Sequence, residues 1–238
     1  MLYVTGDVHG EHRWNKRCLP NVDKLTEEDI LFVCGDWGHI FHGNRLEESH
    51  LNEMATYKFT IAFVDGNHEN FDELYKYPKE IWNSGYVHRI RRNVVHLCRG
   101  QVFDVDGTRI FTMGGGFSRD KALRKVGVSW WPQEMPTEEE YAEAEENLRK
   151  AGFKVDYILT HTAPEETMMQ FHPFHPEEAR LNFFLEWVRE HTEYKHWYLG
   201  HMHQNKDLWR NQTVLWFDVR NMITNESVFD TEGAERYF

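Results

Sequence analysis

Cysteine is scarce in this chain. Its 238 residues include three, Cys18, Cys34 and Cys98. They form no CxxC pair and their number is odd, which argues against a disulfide framework and against a thiolate zinc site. A reducing cytoplasm fits such usage. Long apolar runs are also missing: none approaches the roughly 20 residues that span a bilayer, so no membrane partner is expected. Positive charge is in deficit, with 27 Lys and Arg against 39 Asp and Glu and a formal net charge of −12. Non-specific nucleic-acid binding depends on Lys and Arg displacing counterions, so no extended nucleic-acid surface is expected, although a small local one is compatible. There is no repeat and no low-complexity linker, and residues 1–238 read as a single domain. No signal peptide is expected before the first strand, because Asp7 already reads as a site residue.

What the chain has in excess is histidine, fifteen in all. Five of these fall in short segments rich in metal-ligand types: Asp7-Val8-His9, Gly35-Asp36, Gly66-Asn67-His68-Glu69, His161 in Leu159-Thr160-His161-Thr162, and Gly200-His201-Met202-His203. The other ten read mostly as surface residues or as support for the site. At least four of the five segments directly follow a short apolar run. A sheet presents a metal site at its carboxyl edge in this way.

The runs before the first three segments are Leu2–Thr5, Ile30–Cys34 and Thr60–Val64. They are continuous rather than alternating, as in strands covered on both faces. Val94–Leu97, Gln101–Val105 and Thr108–Met113 read as further strands, with Asp106-Gly107 as a hairpin turn. Val155–Thr160 and Trp197–Leu199 lead into His161 and Gly200. The tail alternates over Val214–Phe217 and again near Val228-Phe229. Helices are expected over Glu47–Tyr57, over Thr137–Gly152, where Thr137 and Glu140 form a capping box, and over Glu177–Glu190. A weaker helical stretch between the first two strands is interrupted by Pro20.

The candidate ligands are Asp7, His9, Asp36, Asn67, His161, His201 and His203. Seven side chains are too many for one ion. If Asp36 bridges, there are eight protein–metal bonds, four per ion, with positions left for water and substrate. Ions in such sites sit roughly 3.5–4 Å apart, and a hydroxide between them can attack phosphorus in line. Nitrogen and oxygen donors without sulfur suit Mn, Fe, Zn or Ni. Two divalent ions with two aspartates and a hydroxide leave a site charge of about +1 inside an acidic protein, which favours a phosphate substrate. Taken singly, each segment has an ordinary structural reading: a strand-end turn, a surface His pair. Their ordered combination does not.

This ordered set, from Asp7 to His203, resembles the calcineurin-like metallophosphoesterase superfamily. The resemblance implies a four-layer α/β/β/α sandwich of two mixed sheets flanked by helices. It implies Asp7, His9 and His203 on one metal, Asn67, His161 and His201 on the other, and Asp36 across both. Asp36 and His68 would be the catalytic pair, and Asn67 and His68 would meet the substrate. His68 would hydrogen-bond it and protonate the departing alkoxide, since an imidazole titrates near the operating pH.

Gly6-Asp7-Val8-His9-Gly10 and Gly66-Asn67-His68-Glu69 are similar to the serine/threonine phosphoprotein phosphatase branch. The second motif is not. That branch carries GDxxDR, whereas Gly35-Asp36-Trp37-Gly38-His39-Ile40 has His39 for the orienting Asp and Ile40 for the phosphate-clamping Arg. His39 and Gly200-His201-Met202-His203 are closer to the nuclease and phosphodiesterase branches. Another group must then hold the phosphate oxygens. The glycine-rich loop Gly116–Lys121 with Arg124 and Lys125 is the best candidate, and Arg119 and Lys121 are its expected substrate contacts. A solvated basic helix is the alternative reading of that loop. Arg89, Arg91 and Arg92 read as a solvated strand edge, and Trp130-Trp131 as packing rather than a base-binding floor. The function expected is hydrolysis of phosphate esters, as a monoesterase or as a phosphodiesterase or nuclease. A non-catalytic interaction module would show degenerate ligands, and none of the seven is degenerate.

Overall fold

The computed structural model describes residues 1–11, 19 and 22–228. The weak helix expected around Pro20 and the tail at Phe229 lie outside these residues. Thirteen strands are found among the described residues. Seven form one mixed sheet in the order β13-β1-β2-β3-β6-β5-β4. These are β1 (Leu2–Thr5), β2 (Ile30–Val33), β3 (Thr60–Phe63), β4 (Lys79–Trp82), β5 (Gly85–Arg91), β6 (Val94–Leu97) and β13 (Val219–Asn221). The other six are ordered β11-β12-β10-β9-β8-β7. They are β7 (Gln101–Val105), β8 (Thr108–Met113), β9 (Tyr157–Thr160), β10 (His196–Leu199), β11 (Lys206–Leu208) and β12 (Gln212–Val214).

The apolar runs explain the layering. Within one strand, successive side chains point to opposite faces. Leu2, Val4, Ile30, Phe32, Ala62 and Val95 therefore meet Phe103, Val105, Ile110, Tyr157, Leu159 and Tyr198 of the second sheet in a shared core. Their neighbours Leu31, Val33, Ile61, Phe63 and Val94 face the other way. They are covered by Leu51 and Met54 of α1 (Arg45–Met54) and by Phe71 and Leu74 of α2 (Phe71–Leu74). The outer face of the second sheet carries Phe111, Met113, Ile158, Trp197 and Leu199. It is covered by Tyr141, Ala144 and Leu148 of α3 (Glu138–Lys150), Met168 of α4 (Glu165–Met168), and Leu181, Leu185 and Val188 of α5 (Ala179–His191). The result is the α/β/β/α sandwich expected from the sequence.

Helix ends follow local chemistry. Asn44 caps α1 by accepting from the backbone of Leu46 and Glu47, so the helix begins two residues before the expected start. Thr137 and Glu140 form the reciprocal box at the start of α3. Asp106 (φ 50°) and Gly107 (φ 83°) join β7 and β8 with left-handed backbone at both central turn positions. The alternating run at Val214–Phe217 is not one strand: β12 ends at Val214 and the chain turns before β13. No helix is long and apolar enough to cross a membrane among the described residues.

Parallel pairing gathers the strand ends. β1 pairs with β2 (Thr5↔Val33) and β2 with β3 (Val33↔Phe63). β8 pairs with β9 (Met113↔Thr160) and β9 with β10 (Leu159↔Tyr198). Six carboxyl ends thus open on one edge of the sandwich. Phe103 is fully buried between the sheets. Phe103→Ala is expected to lower stability by about 3–5 kcal/mol, measured by chemical denaturation.

Candidate metal centre

The loops after those strands carry the seven candidate ligands. Asp7 and His9 follow β1, Asp36 follows β2, Asn67 follows β3, His161 follows β9, and His201 and His203 follow β10. Two groups of atoms face each other. In the first, His9 Nε2 lies 2.9 Å from His203 Nε2 and 3.6 Å from Asp7 Oδ2, and His203 Nε2 lies 3.0 Å from Asp7 Oδ2. In the second, His161 Nε2 lies 3.1 Å from Asn67 Oδ1 and 3.2 Å from His201 Nδ1. Asp36 stands between them. Its Oδ2 is 3.8 Å from His9 Nε2 and its Oδ1 is 3.4 Å from His161 Nε2.

The surroundings hold this geometry. The Asp36 Oδ1 atom accepts from the His68 backbone N–H at 2.7 Å, and Asp7 Oδ1 accepts from the His201 backbone N–H at 2.9 Å. His161 Nδ1–H donates to the Cys34 carbonyl at 2.8 Å, which leaves Nε2 to face the centre. Asn67 Nδ2 donates to Ser118 Oγ, whose hydroxyl donates to the buried Glu134 carboxylate at 2.6 Å. The Asn67 carbonyl oxygen is thereby aimed at His161. His9, Asp36, His201 and His203 all have left-handed backbone, with φ of 51°, 47°, 66° and 48°. Such conformations cost energy and cluster where the surroundings over-determine them for function. The backbone also approaches closely here. A Cβ on Gly66 would lie 2.1 Å from Asp36 Oδ1.

The electrostatics are those of a cation site. Burial opposes charge on Asp36, but His161, with His68 and His9, outweighs it and holds the carboxyl well below the usual range. Burial also opposes charge on Asp7, and the close imidazoles of His203 and His9 keep its pKa lowered. The same balance raises His161 to about 10, chiefly through Asp36 acting against burial. His201 is pushed down to about 3 by burial and by His161. Asp7 Oδ2, fully buried, accepts no hydrogen bond of proper geometry. A buried carboxylate oxygen without a hydrogen, among converging imidazole nitrogens, fits a divalent ion.

The predicted substrate contacts divide. A cavity of about 350 Å³ is lined by Asp36, Asn67, His68, Phe117, Arg119, Asp120, Arg124, His172, His201 and His203. Arg119 is there, bonded to the buried Glu178 and to the Pro173 carbonyl. Lys121 is not among its lining residues. It forms an ion pair with Glu177 and lies over the Trp130 ring, so the expectation that it meets substrate is not supported by its position. The basic loop forms only a single 3-10 turn, Lys121–Leu123, not a helix. Arg124 is the more telling residue. Two of its guanidinium nitrogens lie 2.8 and 3.3 Å from His68 Nε2 and Nδ1, while its Nε donates to Asp120 and its Nη1 also donates to the Ser129 carbonyl.

His39, which stands where the orienting Asp would be, is buried against the Trp37 ring and is not among the residues that line the cavity. His68 is held below its usual pKa by burial and by Arg124, His9 and His161, against the pull of Asp36. Three supporting carboxylates were not singled out from sequence. Glu69 accepts from the Trp37 backbone, Glu134 holds Ser118, and Glu178 holds Thr162 and Arg119. Only Glu69 carried a signal, as the last residue of its motif. Trp131 packs in the core, as expected, with its indole N–H donating to Asp72.

A family model, calcineurin-like phosphoesterase, matches residues 1–205, and the chain belongs to that family. Hydrolysis of phosphate esters with divalent metal ions is the family's chemistry. No curated protein matches the sequence. One similar solved structure is the phosphopantetheinyl hydrolase from Mycobacterium tuberculosis, 15% identical, with 90% of this chain and 87% of that one covered and a TM-score of 0.46.

A linkage prediction follows from His161. Its folded pKa is raised, so its contribution to the metal-free protein is fully present below about pH 6.5 and is lost as the pH rises through about 10. A metal ion bound at His161 would displace that proton. Manganese added to metal-free protein at about pH 8 is expected to release protons into weakly buffered solution, and a pH indicator reads the release.

Proposed function

We propose that this chain is a binuclear, divalent-metal-dependent hydrolase of small phosphate esters. Asp7, His9 and His203 would hold one ion and Asn67, His161 and His201 the other, with Asp36 shared. The observation that carries this reading is the placement of Asp36, one carboxylate oxygen toward each nitrogen cluster. The nitrogen and oxygen donors suit Mn, Fe, Zn or Ni. Bound there, such ions would supply Lewis acidity to phosphoryl oxygens and lower the pKa of an attacking water.

The chain's own residues do the rest. Arg124 and Arg119 offer guanidinium donors to phosphate oxygens, and Arg124 takes the place of the arginine absent at Ile40. A phosphate dianion in the cavity would draw Arg124 off the His68 ring and offset its charge. Both changes raise the proton affinity of His68, which can then donate N–H to the leaving-group oxygen. Asn67, fixed by Ser118, orients beside it. Both cysteines of the described residues, Cys34 and Cys98, are free and buried, which suits a reducing compartment such as the cytoplasm.

His68→Ala is expected to lower kcat by about 10²–10⁴ with metal content retained, checked by steady-state kinetics and elemental analysis. Unchanged turnover would remove His68 from the mechanism.

A second reading, a phosphodiesterase, has its own support. A further cavity of about 190 Å³, lined by His9, Gly38, Phe41, His42 and His68, adjoins the first at His68. A diester needs such room on both sides of phosphorus. Assays with p-nitrophenyl phosphate and its bis ester separate the two. For a monoesterase, Arg124→Ala should raise KM for the monoester by roughly tenfold or more, the cost of about one charged hydrogen bond. Turnover of the bis ester alone would make the diester reading correct.

A further inference from the structure

A second cluster of metal-ligating atoms lies outside the site just described. His88 on β5 and His96 on β6 are directly opposed in the antiparallel register. Cys98 lies two residues beyond His96, and its backbone N–H bonds to the Tyr86 carbonyl, so the pairing is carried past the strand end. Positions two apart share a face of a strand. His88 Nδ1, His96 Nδ1 and Cys98 Sγ therefore gather at one spot, on the wall of a cavity of about 300 Å³.

We propose that His88, His96 and Cys98 form a separate site for one zinc-class divalent cation, with a fourth coordination position open to this cavity. The spacing matches. Zn–N bonds of about 2.0–2.1 Å and a Zn–S bond of about 2.3 Å, at tetrahedral angles, put two nitrogens about 3.3 Å apart and nitrogen and sulfur about 3.6 Å apart. Here the two Nδ1 atoms are 3.1 Å apart and Cys98 Sγ is 3.7 Å from His88 Nδ1. The tautomer also matches. His96 Nε2–H donates to Asp65 Oδ1 at 3.0 Å, which leaves the Nδ1 lone pair facing the cluster. A histidine ligand commonly gives its other N–H to a carboxylate in this way. Asp65 is in turn gripped by the buried Arg99.

Charge favours occupation. Around the cavity, Lys79 and Arg99 face Asp65, Glu140 and Glu143, a balance of −1 with the thiol protonated. A divalent cation bound to a Cys98 thiolate adds +1 and brings the cavity to neutrality. On binding, the thiol proton leaves to solvent and the His88 ring proton moves from Nδ1 to Nε2. No electron transfer is involved. A single thiolate joined to two imidazoles is compatible with the scarcity of cysteine.

Cobalt titration of the metal-free full-length chain tests the site. The candidate catalytic centre has nitrogen and oxygen donors only, so a sulfur-to-cobalt charge-transfer band in the near ultraviolet reports the cysteine site alone. The band is expected to saturate at about one equivalent per chain, to persist in Asp36→Asn and to vanish in Cys98→Ser. Absence of the band, or its survival in Cys98→Ser, overturns the proposal. If Cys98→Ser fails to fold, His88→Gln serves the same comparison: loss of the band is expected, and its persistence overturns the site.

Discussion

Two carboxylates sit almost fully shielded from water where the two sheets end, and their charge must be balanced. Isolated charges in such surroundings are too costly to keep. Asp7 and Asp36 are 3% and 1% exposed, yet both stay ionised because imidazoles and backbone N–H groups surround them. This need for balance organises the edge of the sandwich. It places His161 under the Cys34 carbonyl, draws His9 and His203 together against Asp7, and fixes the loop between Asp36 and His39 through Glu69. Metal ions would replace protons in that balance, so folding of the edge and loading of the centre are parts of one electrostatic problem.

Much of this was legible in the sequence, for a physical reason. Strands covered on both faces read as unbroken apolar runs, and β1, β2 and β3 announce themselves in this way before their polar loops. β4 and β5 do not. Lys79–Trp82 is a mostly exposed edge, and Gly85–Arg91 mixes basic and apolar residues, because its arginines reach out to Glu80 and Glu48. Three-residue strands such as β11 and β13 are too short to show a period.

The candidate site was legible where ligand types follow strands, and illegible where contact depends on long excursions. Arg124 meets His68 across fifty-six residues, and no local spacing points to it. The basic loop suggested phosphate contacts in general terms. Which cations face the cavity was settled by side-chain partners: Glu177 claims Lys121, while Asp120 turns Arg124 inward. Likewise, His88, His96 and Cys98 become neighbours only through the pairing of β5 with β6.

The left-handed backbone at four of the candidate ligand positions limits how such a centre could vary. Asn, Asp, His and glycine tolerate that conformation far better than branched side chains do. Three of these four types carry hard or borderline donors, so backbone geometry and coordination chemistry select from nearly the same alphabet. A centre built on such turns can exchange one donor for another, and so drift in metal preference, while its loops keep their shape.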